Sequence, residues 1–116
     1  MEPLLPTLRD RKRYVAVEVF GDVFVSREAF IAAVSSSGTT LLGDVGFAAA
    51  GISVYGFENS KGIVKCRHTA VSQTIAVLAF ISAIENRRVI VKTWGVSGTV
   101  KGATEKFLSD KNNLKT

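Results

Sequence analysis

Four cations crowd into the five positions that end at Arg13: Arg9, Arg11, Lys12 and Arg13. Such a cluster repels itself unless an anion is near, and a guanidinium fork matches phosphate oxygens. The chemistry open to these residues is the gripping of a polyanion, with Tyr14 next in line as an aromatic surface for a base. A second constellation is Gly95-Val96-Ser97-Gly98-Thr99, followed by Lys101. Small residues let backbone N–H groups and a helix start approach a phosphate, with Lys101 alongside. A plain strand-to-helix turn would read the same way. A nucleophilic serine would not, because Gly98 falls one residue too early for G-x-S-x-G and the one histidine, His68, lies upstream on a strand end.

Other chemistries are thinly supplied. One cysteine, Cys66, excludes an internal disulfide, and with one histidine it cannot assemble a four-ligand zinc site within the chain. Cys66 reads as a small buried hydrophobe and His68 as structural. No Walker loop, dinucleotide fingerprint, paired carboxylates or metal-ligand cluster is present, and acidic residues are spread singly. The expectation is no catalytic residue, and no cofactor or metal bound by the protein itself. Fifteen Lys and Arg against ten Asp and Glu give a net charge of +5 and a pI near 9.7, which suits nucleic acid or a membrane surface. The longest uncharged stretch, Thr69 to Ile84, carries Ser, Thr and Gln and falls short of the ~20 mostly apolar residues of a membrane span. The chain does not open on a cationic start followed by an apolar run and a cleavage site, so the cytoplasm is expected.

These residues need a frame. A length of 116 residues suits one domain, 1–116, with a core of its own. Pro3 and Pro6 make residues 1–8 an extended arm, and polar residues 110–116 a tail that frays. From Arg13 to Phe20 apolar residues alternate, which predicts a central strand with Val15, Val17 and Val19 on one face. Ser26 is the N-cap of a helix whose inner face is Phe30, Ala33, Val34, Ser37 and Leu41, with Glu28 in its first turn. Three glycines predict a loop with one helical turn over Leu41 to Gly51. Strands over Ile52–Phe57 and Ile63–His68 flank a hairpin loop, Glu58 to Gly62. Thr69 caps a second helix, apolar on several sides and running to about Ile84. Arg88 to Trp94 is the fourth strand, and Thr99 to Leu108 a terminal helix.

The order β-α-β-β-α-β plus one helix is that of an α/β (α+β) two-layer sandwich. Its sheet is four-stranded and mainly antiparallel, of RNA-recognition or ferredoxin-like type. With Val64, Cys66, Val89 and Val91 facing the helices, the opposite face collects Lys65, Arg67, Arg88, Lys92 and Trp94, and Tyr14, Tyr55 and Phe57 could join them. Such a face stacks bases and holds phosphates. The alternative, equally open, is that the terminal helix covers it.

The stretch Leu5-Pro6-Thr7-Leu8-Arg9-Asp10-Arg11-Lys12-Arg13-Tyr14-Val15-Ala16-Val17-Glu18, with Leu41-Leu42-Gly43, Lys65-Cys66-Arg67 and Gly95-Val96-Ser97-Gly98-Thr99, resembles the archaeal ribonuclease P protein component 2 family, relatives of the eukaryotic Pop-type subunit. The likeness runs from about Leu5 to Leu108. It implies a noncatalytic subunit of an endoribonuclease whose RNA, with magnesium, removes the 5′ leader of precursor tRNA. Implied partners are the ribonuclease P RNA, a TIM-barrel-like protein subunit and, indirectly, precursor tRNA, with two such pairs assembling around a dimer of this protein. Matched to the family's basic entrance and late turn, Arg9, Arg11, Lys12, Arg13, Tyr14, Ser97, Gly98 and Thr99 are expected RNA contacts. Lys65, Arg67, Arg88, Lys92 and Lys101 join them on position and charge alone. A small-molecule-binding regulatory domain of ferredoxin-like type, with its ligand in a dimer interface near Leu41 to Gly51, is the other class considered. A steep salt dependence of RNA binding would separate the two.

Overall fold

The computed structural model describes residues 11–22 and 24–108. In chain order the elements are β1 (Lys12–Phe20), α1 (Arg27–Ala50), β2 (Ser53–Glu58), β3 (Lys61–Arg67), α2 (Val71–Phe80), β4 (Ala83–Ile84), β5 (Arg87–Arg88), β6 (Ile90–Ser97) and α3 (Val100–Ala103). The sheet runs β2-β3-β1-β6 with every neighbour antiparallel, the topology of a split βαβ sandwich. β1 lies between two partners, as its two-sided apolar pattern requires.

One face of the sheet meets α1 and α2. Val15, Val17 and Val19 of β1, Val64 and Cys66 of β3, and Val91 of β6 are buried there with Phe30, Val34, Val77 and Leu78. Phe57 belongs to this side: its ring stacks on Phe30 with centroids 4.4 Å apart, so it does not reach the outer face. Ser37 also faces inward and donates a 2.6 Å hydrogen bond from its Oγ to the Val77 carbonyl.

Both long helices depart from the sequence reading. Ser26 caps α1 as expected, its Oγ accepting from the Ala29 N–H at 3.1 Å. The helix then continues through Leu41 to Ala50, where a loop was expected. Gly43, at φ 74° and ψ 168°, kinks it, and only glycine adopts that region without strain. Past the kink, Phe47 folds back over Gly38, where a Cβ would overlap its ring. That contact keeps Ser35 to Gly38 helical despite poor propensity. Leu41 is exposed rather than inward-facing.

α2 is shorter than expected. A 3-10 turn (His68–Ala70) leads into it, Thr69 does not cap it, and it stops at Phe80, whose ring is half exposed. The residues after it turn back as the β4–β5 hairpin about Glu85 (φ 53°) and Asn86 (φ 66°), a two-residue turn of the type strand twist favours. Arg88 therefore lies on this satellite hairpin, not on the fourth strand of the main sheet. Asn59 (φ 55°) and Ser60 (φ 67°) make a similar turn between β2 and β3, so Lys61 and Gly62 are strand residues and the expected five-residue loop shrinks to two.

The terminal segment decides how much outer face stays open. Thr99 caps α3, its Oγ1 accepting from the Gly102 N–H at 2.9 Å, and a π-helical turn (Thr104–Leu108) follows. Ala103, Val100, Phe107 and Leu108 form a second small core on Ala16 and Ile63, with Tyr14 at its border. Phe107 lies so close over Gly95 that a Cβ there would overlap the ring. The helix covers the middle of the face and leaves the two ends of β1 uncovered.

Candidate nucleic-acid interface

Strand register builds the first cluster. β1 sets Lys12 beside Arg67 and Tyr14 beside Lys65 on one side, and Tyr14 beside Ser97 on the other. By alternation Lys12, Tyr14, Lys65 and Arg67 share the outer face, while Arg13, opposite buried Cys66, lies at the helix-side rim. The Arg11 carbonyl accepts from the His68 N–H at 2.8 Å, and Arg13 Nη1 donates to the Lys12 carbonyl at 3.0 Å. The entrance backbone is thus tied to the sheet. Among the described residues no carboxylate pairs with Arg11, Lys12 or Arg13. The Arg67 stem runs past Gly51, where a Cβ would sit 3.1 Å from its Cγ. Arg9 lies outside the described residues.

The late turn joins this end but is shorter than expected. Gly95, Val96 and Ser97 are the last residues of β6, and only Gly98 and Thr99 form the bend. The Ser97 Oγ accepts from the Thr99 N–H at 3.3 Å, while the Thr99 hydroxyl is taken up in capping α3. A four-residue helix has too few aligned peptides for a strong N-terminal anion site. What this turn presents is exposed Gly98 and Thr99, with exposed Lys101 just beyond.

Arg88 and Lys92 are not brought to that end. Lys92 pairs with Glu18, and the strand between Arg13 and Glu18 spans on the order of 15 Å. The Lys92 Nζ lies 4.1 Å from the Trp94 ring centroid, and Trp94 Nε1 donates to Glu18 Oε1 at 3.0 Å. The cation is already engaged with the ring, which the Glu18 carboxylate holds in place. Beside it Phe20 pairs with Ile90, both exposed, so this end of the sheet is apolar where the other is cationic.

Tyr55, expected as a possible member of the outer face but not counted among the RNA contacts, does stand on it. The β2–β3 register shifts between Val54 and Gly56, and the bulged Tyr55 stands out 54% exposed. It meets Tyr14 edge to face, centroids 6.0 Å apart at 84°. What the sequence reading missed is the bulge, and a glycine directly after a tyrosine inside a β run is its signal.

A basic, aromatic outer face on a split βαβ sheet accords with what relatives of this chain are called. The model of the Rpp14/Pop5 family matches residues 13–108. Ribonuclease P protein component 2 of Methanosarcina mazei is 50% identical over 110 residues, covering 95% of each chain. The protein of that name from Archaeoglobus fulgidus is 34% identical over 108 residues, covering 93% of this chain and 98% of its own. Among solved structures, a chain in the cryo-EM structure of yeast ribonuclease MRP superposes with a TM-score of 0.65, covering 92% of this chain and 91% of that one. At 6% identity the likeness is one of fold. With the family model spanning nearly all the described sheet and helices, this chain belongs to the Rpp14/Pop5 family.

Proposed function

We propose that the chain is a protein subunit of ribonuclease P that binds the enzyme's RNA through the cationic end of its sheet. The observation that carries this is the β1 register, which gathers Lys12, Tyr14, Lys65, Arg67 and Ser97 at one end, with no carboxylate among the described residues paired to Arg11, Lys12 or Arg13. Fixed cations lower the repulsion between RNA phosphates packed side by side, and so favour the folded RNA and its approach to precursor tRNA. The chain acts in the cytoplasm as part of an endonuclease, a hydrolase of phosphodiester bonds, whose reactive groups belong to the RNA.

Magnesium, which the family resemblance implies for the RNA subunit, would there polarise the phosphate and activate water. Among the described residues no three His, Cys, Asp or Glu side chains converge as metal ligands, and in this reading the ion belongs to the RNA. Protein neighbours are assigned to the other end, where Phe20 and Ile90 form an exposed apolar pair next to Trp94. A TIM-barrel-like subunit, in an assembly built around two copies of this chain, is the partner proposed for it. No described helix is long and apolar enough to cross a membrane.

The test is capture of the ribonuclease P RNA and the other protein subunits by the purified chain, followed by filter binding across a salt series. Four phosphate contacts to single-stranded RNA at about −0.7 each give a slope near −2.8, or roughly 50-fold weaker binding between 50 and 200 mM salt. A flat profile would sink the proposal.

A further inference from the structure

We infer that Tyr55 and the groove beside it hold one unpaired base of the bound RNA, an inference that rests on the RNA-binding function proposed above. The β2 bulge lifts Tyr55 out of the ladder, and its edge-to-face contact with Tyr14 leaves at least one face of its ring uncovered. That ring forms a wall of a groove of about 520 Å³, whose floor is Gly56 and Ile63 and whose far wall is Val100 and Leu108 of the terminal segment. The volume falls within the range that receives small ligands, and the lining is mainly apolar, as a base requires on its two faces.

Gly56 is what keeps the groove open. A Cβ built there meets nothing within 4 Å, and its φ is not positive, so neither crowding nor backbone strain demands a glycine. A glycine in a strand interior weakens the strand and commonly marks close approach by a ligand. On the same face Lys65 is the cross-strand neighbour of both Tyr14 and Ser53, and Lys12 lies one pleat further along. A stacking wall flanked by cations is the arrangement that takes single strands, whose bases offer free faces. A duplex keeps its bases stacked and offers none. The occupant is therefore a splayed nucleotide, chosen by shape and charge rather than by base identity.

The experiment compares the full chain on a ten-nucleotide single-stranded oligoadenylate and a ten-base-pair RNA duplex, at fixed salt, with thermal melts as the folding control. Tyr55→Ala should weaken single-strand binding roughly tenfold and leave duplex binding unchanged, while Tyr55→Phe keeps both. Gly56→Val should match Tyr55→Ala on the single strand with an undiminished melting temperature. If both variants bind both probes like wild type while Arg11→Glu/Arg13→Glu loses them, the stacking site is overturned and RNA binding stands. If wild type binds neither probe in a salt-dependent way, RNA binding itself is overturned. If Tyr55→Ala and Gly56→Val lose capture of protein subunits but not of RNA, the groove receives an apolar side chain and the inference fails.

Discussion

Tyr14 and Ser97 are cross-strand neighbours, although most of the chain lies between them. Their pairing supports the function proposed here, because it carries the turn after β6 to the same end of the sheet as the basic entrance to β1. Neither segment is a site alone. Together with Lys65 on the other side of Tyr14, they make a surface three strands wide.

Arg11 and Arg13, at the basic entrance that borders that surface, test its electrostatics without touching its packing. Neither is paired with a carboxylate among the described residues, and the Arg13 side chain makes only a local hydrogen bond there, to the Lys12 carbonyl. Arg11→Glu/Arg13→Glu should reduce RNA affinity at least tenfold and lower the magnitude of the salt slope by about 1.4, two contacts' worth. The melting temperature should stay within about 2 °C of wild type, since surface substitutions away from packed features cost little. Filter binding and calorimetry decide it; a parallel fall in both would make the pair structural.

The apolar end makes the opposite prediction. Ile90 is 68% exposed beside Phe20, and an exposed apolar pair on a sheet usually marks a protein contact. Ile90→Asp should abolish co-purification of the protein subunits or reduce it at least tenfold, with RNA filter binding unchanged. Retained capture of every subunit by this variant would move the protein interface elsewhere.

How much of this was legible in the sequence follows from which forces are local. The alternation of β1, the Ser26 cap and the burial of Val64 and Cys66 depend on near neighbours along the chain, and all were readable. The helix past Leu41 was not, because Gly43 and Gly46 argue for a loop while the deciding contact, Phe47 on Gly38, is tertiary. The β4–β5 hairpin hid for another reason: Glu85 and Asn86 take left-handed turn positions without the glycine that signals them. That error put Arg88 on the wrong element. The division of the outer face was equally hidden, since only the docked position of Phe107 separates a covered middle from open ends.

Ser37 ties the two helices together at a point where α2 would otherwise end badly. The Ile81 N–H bonds the Leu78 carbonyl at 3.3 Å, and the Val77 carbonyl instead receives the buried Ser37 hydroxyl. Ser37→Ala leaves that carbonyl without its donor, and the cost should be about 1–3 kcal/mol in urea unfolding. RNA binding should not change, because Ser37 lies on the helix side of the sheet. A loss below about 0.3 kcal/mol would mean the carbonyl finds another donor.

Gly95 and Phe107 set how firmly the terminal segment covers the sheet. A methyl group at Gly95 overlaps the Phe107 ring, so Gly95→Ala must displace that ring or bend β6, at a cost of about 1–3 kcal/mol. Phe107→Ala removes a partly buried ring and should cost less than the ~3–5 kcal/mol of a fully buried phenylalanine. In the double variant the overlap is gone, so Gly95→Ala should add almost nothing to Phe107→Ala, a coupling of at least about 1 kcal/mol. Additive losses would show that the clash is relieved within β6 and that the ring does not rest on Gly95 in solution. The same cycle reports on function, because Val100 and Leu108 of this segment form the far wall of the Tyr55 groove. Loosening the segment should weaken binding of the single-stranded probe more than binding of the duplex.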